Sequence, residues 1–323
     1  MTPALKAPFP YFGGKRAVIA DVWARFGTPK QYLEPFCGSA AMLIGRPVGA
    51  AGIEVVNDLS HNIANFWRAV KYQAEAVVGE LQWPVTHIDL AARHAWLTEP
   101  ERVRRLRDNL LDAEWPGDPR QAGWWCWGQC AWIGSGWCDK QIAHASDAGM
   151  GVQAPGQIAF PGSWRGDGMG VITSGAAAAA AAIREGNSDA WPRARAWIHR
   201  LSERMARVRV QAGTWDRALN HHYGGDDTAI FLDPPYRAYT KLYAESTCVA
   251  DEVAEWAREH AHLRIALCGH AGDYELDGWE VLVWERSDNT YGGSATKDAE
   301  AIWFSPACER VRPRQTSLFE AAP

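Results

Sequence analysis

Asp233, Pro234, Pro235 and Tyr236 follow the apolar run Thr228–Leu232, and in that order they could do chemistry on a planar amino group. The run is β-branched and aromatic and reads as a buried strand. Two consecutive prolines end it, remove two backbone donors and fix the backbone in extended or turn geometry. A carboxylate, the Pro234 carbonyl and an aromatic ring are thereby held stiffly at a strand end. Carboxylate and carbonyl can both accept hydrogen bonds from an exocyclic NH2, drawing the nitrogen lone pair out of conjugation, while Tyr236 stacks on the base. Such acceptors must be preorganised where charge develops. The bland reading of the same residues is a proline-rich turn with a capping aspartate.

A second constellation lies near the start. Glu34, Pro35, Phe36 and Cys37 lead into small residues at Gly38, Ser39, Ala40 and Ala41. A strand that ends in small residues and opens a helix lets backbone approach a ligand closely. Asp58 follows Gly38 by about twenty positions, at the end of the next strand, where an acid reaches ribose hydroxyls in nucleoside sites. The spacing is not G-x-G-x-x-G, so a dinucleotide is poorly supported. A tight strand–helix joint explains Gly38 equally well.

These residues need a scaffold. Strands are expected over 30–36, 51–59, 228–232 and 263–270, with two more in "WEVLVWERS" and "EAIWFSP". A helix is expected over 60–81, with Ser60 as N-cap and Ile63, Phe66, Trp67 and Val70 on one face. A second covers 191–210, with Trp197, Leu201, Met205 and Val208 on one face. Alternating strands and helices predict an α/β fold with a parallel, Rossmann-like sheet. From about 82 to 190 the pattern breaks into a charged helix over 99–115, a Trp/Cys-rich stretch over 123–140, a glycine-rich stretch and an alanine run, which reads as an insertion.

With 323 residues, 47% hydrophobic and 22% charged, the chain can bury a large core. No run reaches membrane-span length and the N-terminus lacks a signal-peptide core, so a cytoplasmic protein is expected. A net charge of −5 argues against wholesale coating of nucleic acid but leaves local basic patches open.

Four segments in order, "PYFGGKR", "YLEPFCGSAAM", "VVNDLSHNI" and "FLDPPY", resemble the Dam-type N6-adenine DNA methyltransferases. The resemblance covers roughly residues 8–71 and 196–305. It implies a catalytic domain split into a cofactor half, 1–71, and an Asp-Pro-Pro-Tyr half, 196–310, around a target-recognition insert, 72–195, with a flexible tail, 311–323. The implied cofactor is S-adenosylmethionine and the implied partner double-stranded DNA, in a prokaryotic or phage-infected cell. Tyr11 and Lys15 would lie by the cofactor, Glu34, Pro35, Phe36 and Gly38 under its methionine part, and Asp58 on its ribose. Thr214 and Trp215 would flank its adenine. Asp233, Pro234, Pro235 and Tyr236 would hold a target adenine flipped from the duplex. Two positions depart from the family: Ala40 stands where a second glycine is usual, and Thr214 where an acid is. The alternatives are an N4-cytosine methyltransferase, which needs the same pocket, and a non-catalytic DNA-binding protein of the same fold.

Arg193, Arg200, Arg204 and Arg207, with Arg102, Arg104, Arg105 and Arg107, are candidate phosphate contacts, although a charged helix face is usually just solvated. Cys126, Cys130, Cys138 and His144 are too irregularly spaced for a zinc site, and no metal is expected. Free thiols among core tryptophans explain the stretch better, although some of Trp124, Trp125, Trp127, Trp132 and Trp137 could face DNA. In the tail, Gln315, Leu318 and Phe319 of "QTSLF" resemble the short peptide by which bacterial DNA enzymes bind the replication sliding clamp. Replacing Leu318 and Phe319 by alanine is expected to abolish capture of the chain on immobilised clamp; no capture of the intact chain contradicts the motif.

Overall fold

A computed structural model describes residues 5–9, 11, 15–47, 52–81, 84–133, 137–138, 151–152, 157–158, 190–219, 225, 227–236, 249–284 and 299–310. Its strands are β1 (Gln31–Glu34), β2 (Ile53–Asp58), β3 (Pro84–Val85), β4 (Trp132–Ile133), β5 (Gly151–Val152), β6 (Gln157–Ile158), β7 (Val208–Ala212), β8 (Thr228–Leu232), β9 (Arg264–His270), β10 (Glu280–Trp284) and β11 (Glu300–Phe304). Seven of them form one sheet in the order β10-β11-β9-β8-β1-β2-β7. β7, β2, β1, β8 and β9 pair in parallel, and β11 runs antiparallel to both β9 and β10. The protein is thus mixed α/β with a mostly parallel seven-stranded sheet, an arrangement compatible with a Rossmann-like fold.

The inner strands β8, β9 and β11 read as near-continuous apolar runs because both faces of the sheet are covered there, whereas the edge strands β7 and β10 are partly exposed. The period of two sorts their side chains. Tyr32, Val56, Ala229, Phe231, Ala266, Cys268, Ile302 and Phe304 join one core, shared with the helices α1 (Ile19–Phe26) and α3 (His61–Glu80). Leu33, Val55, Ile230, Leu232, Ile265, Leu267 and Trp303 join the other, against Ala250, Val253, Ala254 and Ala257 of the helix Val249–Glu259.

α3 begins after Ser60 as expected, but the Ser60 side chain makes no capping bond; its backbone N–H instead donates to Asp58 at 2.8 Å. The expected domain boundary after residue 71 falls inside α3, which bends at Gln73 (φ −139°) without ending. In the segment that follows, α5 (Pro100–Leu110) is the charged helix expected there, whereas α4 (His87–Leu97) and α6 (Pro119–Ala131) are further helices that were not expected, and α6 packs along α3. Gly123 permits that approach, since a Cβ there would sit 2.5 Å from the Glu80 Cβ. Trp125 meets Phe66 at 5.9 Å and Phe9 at 4.9 Å between ring centroids, so these tryptophans belong to the same core as the sheet. Trp125, Trp127 and Trp137 are buried, and the Trp124 indole donates to Glu80. The side chain of Trp132, most of the glycine-rich stretch and the alanine run lie outside the described residues. The second boundary, at 195/196, likewise falls within a helix, Ala190–Met205, and Val208 belongs to β7 rather than to that helix's face. No described helix is long and apolar enough to cross a membrane.

Arg204 corrects the expectation that it faces phosphate. Its guanidinium donates to both Glu54 oxygens at 2.8 Å and to the Leu43 carbonyl at 2.7 Å, alongside Arg46, which reaches Glu54 at 3.0 Å. It braces β2 against the helix α2 (Ala41–Ile44) and the helix Ala190–Met205. Arg200 lies over the Trp197 ring at 5.1 Å, whereas Arg193 and Arg207 are exposed. Charge-assisted bonds of this kind contribute about 1.5–3 kcal/mol each, and Arg46 retains part of the network. Arg204→Ala is expected to destabilise the protein by about 2 kcal/mol in urea unfolding; an unchanged midpoint contradicts the bracing role.

Candidate active site

The chain leaves β1 for β2 on one side and returns to β8 on the other, so strand order reverses between β1 and β8. In open α/β sheets that reversal opens a crevice at the carboxyl ends of the strands. Tyr11, Lys15, Glu34, Phe36, Phe231 and Asp233 line a cleft at this place. The two constellations distinguished in the sequence therefore meet in one site.

The loop after β1 is held from three directions. Asp58, at the end of β2, accepts from the Gly38 N–H and the Ser60 N–H, each at 2.8 Å. The Trp67 indole on α3 donates to the Gly38 carbonyl at 3.0 Å. Asn57 Nδ2 donates to the Pro35 and Gly213 carbonyls, each at 3.0 Å, tying this loop to the one after β7. Gly38 has φ +45°, and a Cβ there would land 2.2 Å from the Tyr11 ring. Ala40 has φ 51°, the left-handed conformation that favours glycine, although it carries a buried methyl. Asp58 thus acts within the protein as a loop brace; its Oδ2 also takes the Cys37 thiol at 4.0 Å, and Oδ1 retains a lone pair for a further donor.

Burial decides the charge of these acids. The Glu34 carboxylate accepts from the Tyr32 hydroxyl at 3.0 Å and the Leu43 N–H at 3.1 Å, yet burial outweighs both and pushes its pKa up to about 8. Burial likewise pushes Asp58 up to about 6, against the N–H groups of Ser60 and Gly38.

Asp233 follows β8, the most thoroughly buried kind of strand, and the prolines carry the chain out of the sheet. Lys15 Nζ lies 3.1 Å from Asp233 Oδ1 and 3.5 Å from Glu300 Oε2, with a side chain only 3% exposed. Burial alone would lower the Lys15 pKa, but the neighbouring anions, Asp233 foremost and Glu300 among the others, hold it above the ordinary lysine range. The ammonium also sits 5.1 Å from the centre of the Tyr236 ring, and His270 on β9 meets that ring edge-on at 4.7 Å. Tyr236 is buried, with its hydroxyl directed near the Asp233 carboxylate. Burial, then Asp233, keeps that phenol strongly protonated.

Trp215 stands near-parallel to Phe36, ring centroids 6.5 Å apart and planes 25° from each other, so the two rings face one another beside the braced loop. Thr214 is exposed next to it. Pro234 is buried and Pro235 exposed.

Glu300, His270 and Asn57 were assigned no role from the sequence, and Trp67 only a place on the apolar face of its helix. Asn57 sits inside a quoted motif, and a polar residue at a buried strand end was the available signal for it. Cys126 and Cys130 are buried in α6, and no cluster of metal-ligating side chains occurs among the described residues. His144, Gln315, Leu318 and Phe319 lie outside them. The chain matches no family model, and no curated protein is significantly similar to it.

A proton held on Glu34 in the folded protein is released by the unfolded chain in the ordinary glutamate range, so stability falls as pH rises from that range towards about 8. Urea unfolding between about pH 5 and pH 8 is expected to show this decline in the wild type and to lose much of it in Glu34→Gln, which keeps an acceptor for Tyr32 and Leu43. Parallel curves for the two proteins contradict a buried, proton-bearing Glu34.

Proposed function

We propose that the protein is an S-adenosylmethionine-dependent DNA methyltransferase acting on adenine N6, with a methyltransferase-type sheet and a target-recognition region drawn from the segment between α3 and β7. The observation that carries this reading is that Glu34, Phe36 and Cys37 from the loop after β1 and Asp233 from the Asp-Pro-Pro-Tyr turn line one cleft at the strand-order reversal.

The side chains fit the cofactor by chemistry. A cation with ribose hydroxyls and an adenine suits buried acids beside a glycine that admits no Cβ, next to facing aromatic rings. Glu34, Phe36 and Gly38 would hold its methionine end, Asp58 its ribose and Trp215 its ring. When bound, it supplies an electrophilic methyl group. Asp233 and the Pro234 carbonyl accept the two hydrogens of the target amino group, which concentrates the lone pair on nitrogen. Asp233 acts by accepting a hydrogen bond rather than by deprotonating a neutral aromatic amine outright. Once methylated, the nitrogen is cationic and releases its proton readily. Tyr236 offers a ring for the base to stack on, and Lys15 keeps a positive charge beside Asp233 throughout.

The test is transfer of tritiated methyl from S-adenosylmethionine to unmethylated genomic DNA, followed by nucleoside chromatography. Label is expected in N6-methyladenine, reduced by about 10²- to 10³-fold or more in Asp233→Ala. Label in N4-methylcytosine would move the target base, and no label with DNA still bound would favour a non-catalytic DNA-binding protein.

A further inference from the structure

We propose that Glu300 is a positioning residue for this reaction, acting through Lys15 to leave Asp233 free to receive the target amino group; the role rests on the methyl-transfer reading above. Glu300 opens β11, the reversed strand, and its Cα partner on β9 is His270, whose ring abuts Tyr236. It is 3% exposed, an acid at a depth where an unpaired charge is costly. Lys15 Nζ lies 3.5 Å from Glu300 Oε2 and 3.1 Å from Asp233 Oδ1.

An ammonium has three donors and strong directional freedom, so its position follows the anions around it. Facing Asp233 without a second carboxylate, Lys15 would close on both oxygens and occupy the lone pairs the amino group needs. Glu300 supplies a second anion 3.5 Å from the same nitrogen, so Lys15 is shared between two carboxylates and remains on Asp233 Oδ1. The rest of the Asp233 carboxylate, which the Tyr236 hydroxyl and the Cys268 thiol also approach, then stays clear of the ammonium. The same ammonium lies against the Tyr236 ring, so fixing it fixes the acceptor and the stacking platform together. Because Glu300 touches neither base nor cofactor in this account, its loss slows turnover without weakening binding.

The experiment compares wild type, Glu300→Gln, Lys15→Met and the double variant in steady-state methyl transfer and in thermal unfolding. Glu300→Gln is expected to lower kcat by about 10- to 100-fold, the scale of a small misplacement of a reacting group, with KM for cofactor and DNA changed by less than about threefold. The double variant should be no slower than Lys15→Met, and the two sites should be non-additive in melting temperature. Coupling in melting temperature with an unchanged kcat in Glu300→Gln, or additive losses of kcat, would reduce Glu300 to a fold-stabilising ion pair and overturn the proposal. If Glu300→Gln does not fold, Glu300→Asp, which keeps the charge but withdraws it from Lys15 by one carbon–carbon bond, is read by the same criteria. A wild type that transfers no methyl group contradicts the methyltransferase reading itself, and the proposal with it; an active wild type with an indifferent Glu300 contradicts the positioning role alone.

Discussion

One buried ammonium ties the site together. Lys15 comes from the N-terminal segment, Asp233 from the turn after β8 and Glu300 from the start of β11, and the three meet within 3.5 Å of the same nitrogen. Burying a lysine is unfavourable unless it is paired, and pairing it twice makes the positions of three distant segments mutually dependent. The stiffness of the Asp-Pro-Pro-Tyr turn follows the same logic. Two prolines restrict the backbone, the ammonium fixes the carboxylate, and His270 with Lys15 confines the Tyr236 ring. Such over-determination is what a site needs when its acceptors must already be aimed before a substrate arrives.

The other half of the cleft is organised by acids turned inward on backbone. Asp58 receives two N–H groups, and Asn57 and Trp67 hold the carbonyls of the same loop, so the Glu34–Gly38 turn is fastened on its donors and its acceptors alike. This arrangement tolerates Ala40 in a left-handed conformation, because surrounding contacts outweigh a strain of about 1–2 kcal/mol. Burial raises the pKa of Glu34 and of Asp58, leaving acids that a cationic ligand would draw towards ionisation.

Much of this was legible in the sequence. The strands before Glu34, Asp58 and Asp233 are short apolar runs closed by polar or proline residues, and period-two sorting accounts for both cores. The helix α6 was not legible, for a physical reason: nearly every side from Gln121 to Cys130 is buried, so no polar stripe marks its period and the stretch resembles an irregular insertion. Val208 was misassigned because its spacing from Met205 continues the helical face, while Ala206 and Arg207 turn the chain into β7. Arg204 looked like a solvated helix cation until tertiary contact with Glu54 gave it a partner from β2. Glu300 was invisible for the converse reason: a lone acid opening "EAIWF" has no local pattern, and only the pairing of β11 with β9 brings it to Lys15.

The most direct test of the account is a crystal structure of the protein grown with a non-reactive amine analogue of S-adenosylmethionine. Ligand density is expected in the cleft between the Glu34–Gly38 loop and Asp233, with the analogue's reactive end towards Asp233 and its ring beside Trp215. Density elsewhere on the protein, or a cleft that stays empty at saturating analogue, would contradict it.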